Sequence, residues 1–282
     1  METPAIDRLR DARGRFSMLA IDQRESLRQM LGAATGEPVG DDALVAFKTL
    51  VVRTLTPHAS GVLIDRDYGM PAAAVASCPL ILSADILSQS VAGGPVDTAR
   101  LDPGVTPEFV AESGAVALKM LVPWTPERRA EAVELAAEFL ELCRRSGVPG
   151  IVEGVVRPLD IAEWSDRDRD YALVLAAREL GALGPALYKG EVPSYGRGDL
   201  DAITAAAREI TASLESAWVV LSSGVTADLF PAAVAACVAG GAEGFLAGRA
   251  IWADAVTAPD PAGFLATESV ARLRRLAEEA AA

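Results

Sequence analysis

Short apolar runs alternate with amphipathic segments along most of the chain. The apolar runs, in order, are FSMLAID (16–22), GVLID (61–65), PLILSAD (79–85), VALKMLVP (116–123), IVEGVV (151–156), ALYKGEV (186–192), WVVLSS (218–223) and GFLA (244–247). Helical spacing of apolar residues follows most of them, in ESLRQML after the first run and over residues 128–145, 168–181, 199–215 and 227–240. Strands that alternate with helices in this way are typical of parallel α/β folds.

Eight such strand–helix units over about 250 residues predict a (β/α)8 TIM barrel. We expect residues 1–282 to form it as a single domain, because chains of this length commonly make one barrel and no linker or repeat interrupts the pattern. A doubly wound open sheet is the alternative. It is disfavoured because no GxGxxG motif follows the first apolar run.

The charge and hydropathy of the chain bear on its partners. The formal net charge of −13 argues against a nucleic-acid partner, since phosphate backbones are bound by clustered Lys and Arg. A local positive cluster would still accept a small anion. The charged start, METPAIDRLRDARGRF, lacks a signal-peptide stretch, and no apolar run approaches the roughly 20 residues of a membrane helix. We therefore expect a soluble cytoplasmic protein without a membrane partner.

The few cysteines and the single histidine narrow the chemistry. Cys78, Cys143 and Cys237 are scattered without CxxC spacing, so we expect reduced thiols rather than disulfides or a zinc site. His58 is the only histidine and falls in LTPHAS, a connection between a helix and a strand. Proton transfer is therefore expected to use carboxylates, lysine, tyrosine or water.

Polar residues stand at the ends of the predicted strands, where barrel enzymes place their chemistry. These residues are Asp22, Asp65, Asp85, Lys119, Glu153, Lys189, Glu191, Ser222, Ser223 and Arg249. Strand alternation places Lys189 and Glu191 on the same face. Because an isolated buried charge is costly, these groups are expected to be paired or functional.

Two of the three lysines lie inside predicted strands. The chain has 26 basic residues, and all except Lys48, Lys119 and Lys189 are arginines. Arginine stays protonated, whereas a lysine beside another cation can lose its proton near neutral pH and act as an amine nucleophile. The pattern favours a Schiff-base lysine whose pKa is lowered by a second lysine. Salt bridges between these lysines and Glu153 or Glu191 are the purely structural alternative.

Two glycine-containing turns indicate an anion site. LSSGVT (221–226) and FLAGRAIW (245–252) follow the seventh and eighth runs, which are the usual phosphate-binding positions of this fold. Gly224 and Gly248 let backbone amides approach a ligand, while Ser222, Ser223 and Arg249 add donors. Together the two turns predict a site for a phosphate group.

Six segments resemble the class I aldolases related to tagatose 1,6-bisphosphate aldolase. They are MLAIDQRESLRQM, LKMLVPW, IVEGVVRP, LYKGEVPSYGRG, WVVLSSGVTADLFPAAV and GFLAGRAIWADAV. The resemblance covers nearly the whole chain and is greatest to the subgroup that acts on sulfofructose 1-phosphate in sulfoquinovose breakdown. Two positions depart from the family pattern, because Gly154 stands where proline is usual and Gly190 where valine is usual.

This resemblance implies a metal-independent lyase without a cofactor. It would cleave 6-deoxy-6-sulfofructose 1-phosphate to dihydroxyacetone phosphate and 3-sulfolactaldehyde. Lys189 would form the imine, Glu153 would take the C4 hydroxyl proton, and Lys119 would lower the pKa of Lys189. Asp22 and Gln23 would hold the sugar hydroxyls. The residues implied for the C1 phosphate are Ser223, Gly224, Gly248 and Arg249, and Ser222 is a further substrate-binding candidate in the same turn.

The far end of the substrate separates the alternatives. A sulfonate or a phosphate there could be met by one arginine, and Arg24 in the DQRE turn is a candidate. A tagatose 1,6-bisphosphate or related ketose phosphate aldolase is therefore the nearest alternative. A non-catalytic sugar-phosphate sensor would need no imine-forming lysine, and an isomerase or epimerase would leave that lysine unexplained. The resemblance also implies a homo-oligomer.

Overall fold

The architecture is a closed barrel of eight parallel strands, which confirms the (β/α)8 prediction. The computed structural model describes residues 6–89, 96–157 and 164–281. The strands in these ranges are β1 Phe16–Ala20, β2 Gly61–Ile64, β3 Leu80–Ser83, β4 Asp85–Ser88, β5 Thr98–Leu101, β6 Ala117–Trp124, β7 Gly150–Val156, β8 Leu187–Glu191, β9 Trp218–Leu221 and β10 Gly244–Ala247. The barrel closes in the order β1-β10-β9-β8-β7-β6-β3-β2.

Helices follow the barrel strands on the outside. They are α1 Glu25–Thr35, α2 Asp41–Leu55, α3 Arg66–Ala73, α4 Pro107–Ser113, α5 Arg129–Ser146, α6 Asp166–Gly181, α7 Leu200–Ala212, α8 Phe230–Ala239, α9 Arg249–Trp252, α10 Pro261–Phe264 and α11 Val270–Glu279. The helices predicted between the fourth and eighth runs are confirmed as α5 to α8, with small shifts at their ends. The helix ends are sharp where the sequence supplies caps, as at α6, where Ser165 and Asp168 form a capping box.

Two features were not predicted from the apolar pattern. Helix α2 follows α1 as a second helix, and its buried side packs against the outside of the barrel. The antiparallel hairpin of β4 and β5 is inserted between β3 and β6. The third apolar run therefore ends at Ser83, and Asp85 begins the hairpin. Strand β5 alternates between exposed and partly buried positions, and β4 runs from the buried Asp85 to an exposed end, so neither carried an apolar signal that predicted a strand.

The barrel interior is layered. Its lower part is an apolar cluster that includes Phe16, Met18 and Ile81, and Leu9 closes this end. Gly61 makes the closure possible, because a Cβ at this position would lie 2.8 Å from Leu9 Cδ2. Towards the C-terminal ends of the strands, charged side chains lie inside the barrel, and a small apolar cluster of Leu121, Val155 and Leu221 follows them. The core thus fixes the strands below, and the polar groups lie at the mouth.

Lys48 forms a buried ion pair outside the barrel interior. It lies on α2, has no exposed surface, donates from Nζ to the Ile21 carbonyl at 2.6 Å and pairs with Asp65. The second oxygen of Asp65 accepts from the Tyr68 amide at 2.8 Å and caps α3. Lys48 and Asp65 therefore join α2 to the end of β2, and this lysine is structural.

The structure also bears on the cysteines, on the single histidine and on the membrane-helix expectation. Cys78, Cys143 and Cys237 are free, as expected. His58 ends a short 3-10 helix before β2 and borders a small cavity with Ser17 and Cys78, at the end of the barrel opposite the mouth. Within the described ranges, no helix is both long and apolar enough to cross a membrane.

Candidate active site

Lys119 is the centre of a buried charged cluster inside the barrel. Its Nζ lies 3.0 Å from Asp22 Oδ2, 3.2 Å from Asp85 Oδ2 and 2.6 Å from Glu153 Oε2. β6 carries Lys119, β7 carries Glu153, and the ends of β1 and β3 supply the two aspartates. Three carboxylates around one ammonium leave Lys119 no free donor, so it acts here as a fixed positive charge.

Lys189 is joined to this cluster through Glu153. The two residues lie opposite each other in the parallel β7–β8 register, and Lys189 Nζ is 3.1 Å from Glu153 Oε1. Both side chains are buried, at 4% and 5% residue exposure. One carboxylate therefore bridges two amines, each bound to a different oxygen.

The two amines have opposite electrostatic surroundings. Burial lowers the pKa of Lys189, and the positive charge of Lys119 lowers it further, although Glu153 and Asp22 oppose both effects. Burial also acts against the charged form of Lys119, but attraction by Asp22, Asp85 and Glu153 outweighs it and raises the pKa of Lys119. Lys119 therefore stays protonated while Lys189 can present a neutral, nucleophilic amine.

The aspartates are held in the charged form by the same pairing. Burial would raise the pKa of Asp22, but Lys119 and Lys189 lower it well below the usual range. The pKa of Asp85 is likewise lowered, against burial, by Lys119 and Arg24. Arg24 Nη2 lies 2.5 Å from Asp85 Oδ1, and its other terminal nitrogen donates to the Asp85 carbonyl. The guanidinium proposed for the distal anion is thus already engaged with Asp85.

Glu191 faces the interior with Lys189 but belongs to a different group of charges. Its Oε1 lies 3.1 Å from Arg157 Nη1 and 3.3 Å from Arg169 Nη2, and its Oε2 accepts from the Val156 amide at 2.8 Å. Burial opposes ionisation, yet the two arginines lower the pKa of Glu191. Glu191 is therefore an ionised partner of arginines, and it forms no ion pair with Lys119 or Lys189.

The two turns predicted for an anion lie side by side. In the β9–β10 pair Val220 is opposite Phe245, so Ser223 and Gly248 follow at equal distances along their strands. A Cβ at Gly248 would collide with the Ala20 carbonyl oxygen, and Gly224 has a φ of 73°. Glycine is therefore required at both turns; Gly224 is exposed, whereas Gly248 is buried against the end of β1.

The remaining predicted residues line the same opening. Ser222, Ser223 and Gln23 are partly exposed, and the Arg249 side chain is exposed at the start of α9. Gln23 directly follows Asp22 at the end of β1, and its Oε1 is buried without a hydrogen-bond partner among the described residues. The structure thus places every predicted site residue at one end of the barrel, and a free amide oxygen remains for a ligand hydroxyl.

The two glycines that depart from the family pattern have a packing reason. Tyr188 points outward from β8, and its hydroxyl fills the space in which a Cβ at Gly154 would stand. A Cβ at Gly190 would lie 3.2 Å from Tyr188 Cε1 and 3.5 Å from Trp218 Cε3. Both glycines make room for the Tyr188 ring on the outer face, and the interior side chains of β7 and β8 keep their places.

Two residues at the mouth were given no role by the sequence: Asp85, which was counted among the polar strand ends, and Arg157, which was not selected at all. Asp85 ends the third apolar run, and its position there was the available signal, but its contact with Lys119 depends on the hairpin that starts at this residue. Arg157 follows the fifth run directly and reaches Glu191 and Ser223. A basic residue next to a strand end is common in any sequence, so the pattern gave no reason to select it.

The chain matches one protein-family model and has curated relatives. The model described as DeoC/LacD family aldolase matches residues 16–254. The tagatose 1,6-diphosphate aldolase 2 of Enterococcus faecalis is 30% identical, with 89% of this chain and 83% of the relative covered. The tagatose 1,6-diphosphate aldolase of Listeria monocytogenes serotype 4b is 29% identical over 89% of this chain and 81% of its own length.

A solved structure shares the fold. An archaeal fructose-1,6-bisphosphate aldolase, with its catalytic lysine covalently bound to the carbinolamine intermediate of the substrate, superposes with a TM-score of 0.65. The identity is 15%, and the match covers 98% of this chain and 97% of the other. At this identity the similarity supports the barrel fold alone.

Proposed function

The chain belongs to the DeoC/LacD family of aldolases, and from this premise we propose that it cleaves a ketose 1-phosphate through an imine on Lys189. The observation that carries the proposal is the arrangement of Lys189, Glu153 and Lys119. A buried amine with a lowered pKa lies 3.1 Å from a carboxylate that a second, permanently charged amine holds in place. Imine formation requires such a neutral amine.

The reaction begins with attack of Lys189 Nζ on the C2 carbonyl. The carbinolamine loses water and becomes an iminium, which accepts electrons in the next step. Glu153 takes the proton of the C4 hydroxyl, the C3–C4 bond breaks, and its electron pair moves into the iminium to give an enamine. The aldehyde leaves, C3 of the enamine is protonated, and water hydrolyses the imine to release dihydroxyacetone phosphate and free Lys189.

Glu153 is the proposed acid–base group because of its position. It is the carboxylate that pairs with Lys189, and it is also paired with Lys119. A base within hydrogen-bonding distance of the imine nitrogen can reach a hydroxyl two carbons from C2. Lys119 holds the Glu153 carboxylate in place through its contact with Oε2 at 2.6 Å. The iminium serves as the electron sink, so the mechanism needs neither a metal nor an organic cofactor.

Substrate binding is proposed for the groups that surround the amine. Asp22 is ionised and offers acceptors to sugar hydroxyls, and Gln23 adds its unpartnered amide oxygen. The C1 phosphate is assigned to the adjacent turns after β9 and β10. Those residues are Ser222, Ser223, Gly224, Gly248 and Arg249.

Tagatose 1,6-bisphosphate is the ketose phosphate that we propose first. The relatives named above support it, since they are tagatose 1,6-diphosphate aldolases. The second candidate is 6-deoxy-6-sulfofructose 1-phosphate, favoured by the resemblance of DQRE and LYKGEVPSYGRG to that subgroup. Measuring kcat/KM for both compounds assigns the substrate. A preference of 10-fold or more for 6-deoxy-6-sulfofructose 1-phosphate would make it the first candidate in place of tagatose 1,6-bisphosphate.

Borohydride trapping tests the imine. Incubation with dihydroxyacetone phosphate and borohydride is expected to attach the reduced ligand to Lys189, as read from peptide mass spectra. Lys48 and Lys119 serve as internal controls, because Lys48 pairs with Asp65 outside the barrel mouth and the carboxylates around Lys119 raise its pKa. Absence of an adduct, or an adduct on another lysine, would overturn the proposed mechanism.

Replacing Glu153 with glutamine separates imine formation from bond cleavage. Glu153→Gln retains the shape of the side chain but removes the base, so we expect kcat for cleavage to fall by about 10²- to 10⁴-fold. Trapping of dihydroxyacetone phosphate should persist, because the amine remains. Glu153 raises the pKa of Lys189, and its loss should move the acid limb of trapping to lower pH. Full cleavage activity in this variant would exclude Glu153 as the base.

A further inference from the structure

A group of charges at the barrel mouth is not used by the mechanism above. Glu191, which is 1% exposed, faces two guanidinium groups, those of Arg157 and Arg169. Arg169 has a second carboxylate in Asp170, 3.7 Å from its Nη1, whereas Arg157 shares Glu191 with Arg169. A further anionic partner is therefore expected at Arg157, because a buried charge is costly unless it is well paired. The position of each guanidinium shows which one can meet that partner.

Arg169 is occupied by the protein. It is 4% exposed, donates from Nη1 to the Val192 carbonyl at 3.1 Å, and its guanidinium carbon lies 3.7 Å from the centre of the Tyr195 ring. Tyr195 has a φ of 50°, and its ring covers the position where a Cβ of Gly224 would stand. Arg169 therefore anchors the loop that follows β8, and its guanidinium is buried against the Tyr195 ring.

Arg157 lies across the mouth instead. Its Nη1 donates to the Val156 carbonyl at 2.7 Å and to Glu191 at 3.1 Å, and its Nε donates to the Val96 carbonyl at 3.2 Å. These bonds hold the plane of the guanidinium. Its Nη2 points at Ser223 Oγ, and the distance of 3.5 Å is at the outer limit of a hydrogen bond. This donor therefore retains capacity for a better acceptor beside Ser223.

An oxyanion fits that position in charge and geometry. Ser223 belongs to the turn assigned to the C1 phosphate, and a guanidinium edge provides directed, charge-assisted donors to phosphate oxygens. Lys119 offers little positive charge to a phosphate, because three carboxylates surround it. Arg157 brings a guanidinium to within 3.5 Å of Ser223 Oγ, and the exposed Arg249 adds a second cation at the neighbouring turn.

We propose that Arg157 binds the C1 phosphate of the substrate together with Ser223, and that Glu191 is a positioning residue that orients its guanidinium. This assignment of the phosphate rests on the proposed function. Glu191 holds Arg157 through its ion pair. Because Glu191 also pairs with Arg169, and Arg169 contacts the Tyr195 ring, this series of contacts connects the loop after β8 to the same phosphate. The preference of the enzyme for phosphorylated over uncharged ketoses then depends on Arg157.

The test compares a phosphorylated ligand with its uncharged counterpart. In Arg157→Gln, the concentration of dihydroxyacetone phosphate required for half-maximal borohydride trapping on Lys189 should rise by about 10- to 100-fold. The concentration of dihydroxyacetone required should stay within about 2-fold, because that ligand has no phosphate. Arg66→Gln is the matched control, since Arg66 starts α3 and pairs with Asp102. It should change neither value.

Equal effects on both ligands would show a structural role for Arg157 and overturn the proposal, as would no effect on either. Inorganic phosphate, titrated by calorimetry, separates this inference from the aldolase mechanism. If wild type forms no adduct yet binds phosphate, and Arg157→Gln weakens that binding by 10-fold or more, the phosphate site stands while the imine mechanism fails. If Arg157→Gln binds phosphate as wild type does, the site proposal fails.

Glu191→Gln tests the positioning role. The variant keeps the side chain in place but weakens its hold on Arg157, so the trapping concentration for dihydroxyacetone phosphate should rise by about 3- to 10-fold. The value for dihydroxyacetone should not change. A merely structural Glu191 would alter trapping of both ligands together, and that result would remove it from the phosphate site.

Discussion

Replacing Lys189 with methionine is expected to reduce kcat for ketose phosphate cleavage by about 10⁴-fold or more, because the variant lacks the amine that forms the imine. Methionine is unbranched and suits a buried position. Glu153 keeps its contact with Lys119 at 2.6 Å, so no carboxylate is left unpaired. We therefore expect the variant to lose catalytic activity while the barrel stays folded. Steady-state kinetics and thermal unfolding measure the two separately.

Lys48→Met is the matched control for this variant. Lys48 is as buried as Lys189 and pairs with Asp65, but it lies between α2 and β2, outside the mouth. This control should lose stability and keep its kcat. If Lys189→Met retained more than about 1% of wild-type activity, nucleophilic catalysis by Lys189 would be excluded.

Replacing Lys119 with methionine is expected to lower the free energy of unfolding by about 3–5 kcal/mol. The substitution leaves Asp22, Asp85 and Glu153 without the ammonium that lies between them. Breaking a buried ion pair from one side is costly because the partner charge stays in a low dielectric. Chemical denaturation, followed by circular dichroism, measures the change.

The same variant changes the pH dependence of imine formation. The positive charge of Lys119 lowers the pKa of Lys189, whereas Glu153 and Asp22 raise it. Without Lys119, Lys189 holds its proton to higher pH, and the acid limb of borohydride trapping should move upward by about one pH unit or more. Lys48→Met should lose a similar amount of stability without moving that limb. An unchanged or downward limb in Lys119→Met would contradict the assigned electrostatics.

Some contacts at the mouth were accessible to sequence reasoning because they are local. The side-chain period of two along a strand places Lys189 and Glu191 on the same face of β8, and the structure confirms that both point inward. In the structure Glu191 pairs with two cations, Arg157 and Arg169. The identity of these two arginines was not accessible, because one lies on α6 and the other follows β7.

The ion-pair partners of the three lysines could not be predicted from the sequence, because they depend on contacts between distant parts of the chain. All three lysines are buried, yet only the structure shows that Lys48 pairs with Asp65 outside the barrel while Lys119 and Lys189 share Glu153 inside it. Asp85 reaches Lys119 because a hairpin begins where the third strand was expected to end. The carboxylates around each lysine decide which amine stays charged, and the residue types alone do not show which carboxylates those are.

The amino-acid sequence by itself determined the strand–helix alternation, the barrel and the strand ends at which polar groups stand. Periodicity is a local property, and in a parallel barrel it assigns each side chain to the interior or to the helix layer. The tertiary structure decided which charges meet, since the pKa of Lys189 depends on burial and on Lys119, 70 positions earlier in the numbering. Strand register brings Glu153 opposite Lys189, and closure of the barrel brings Asp22 and Asp85 to Lys119, because distances across the barrel are set by packing of the whole chain.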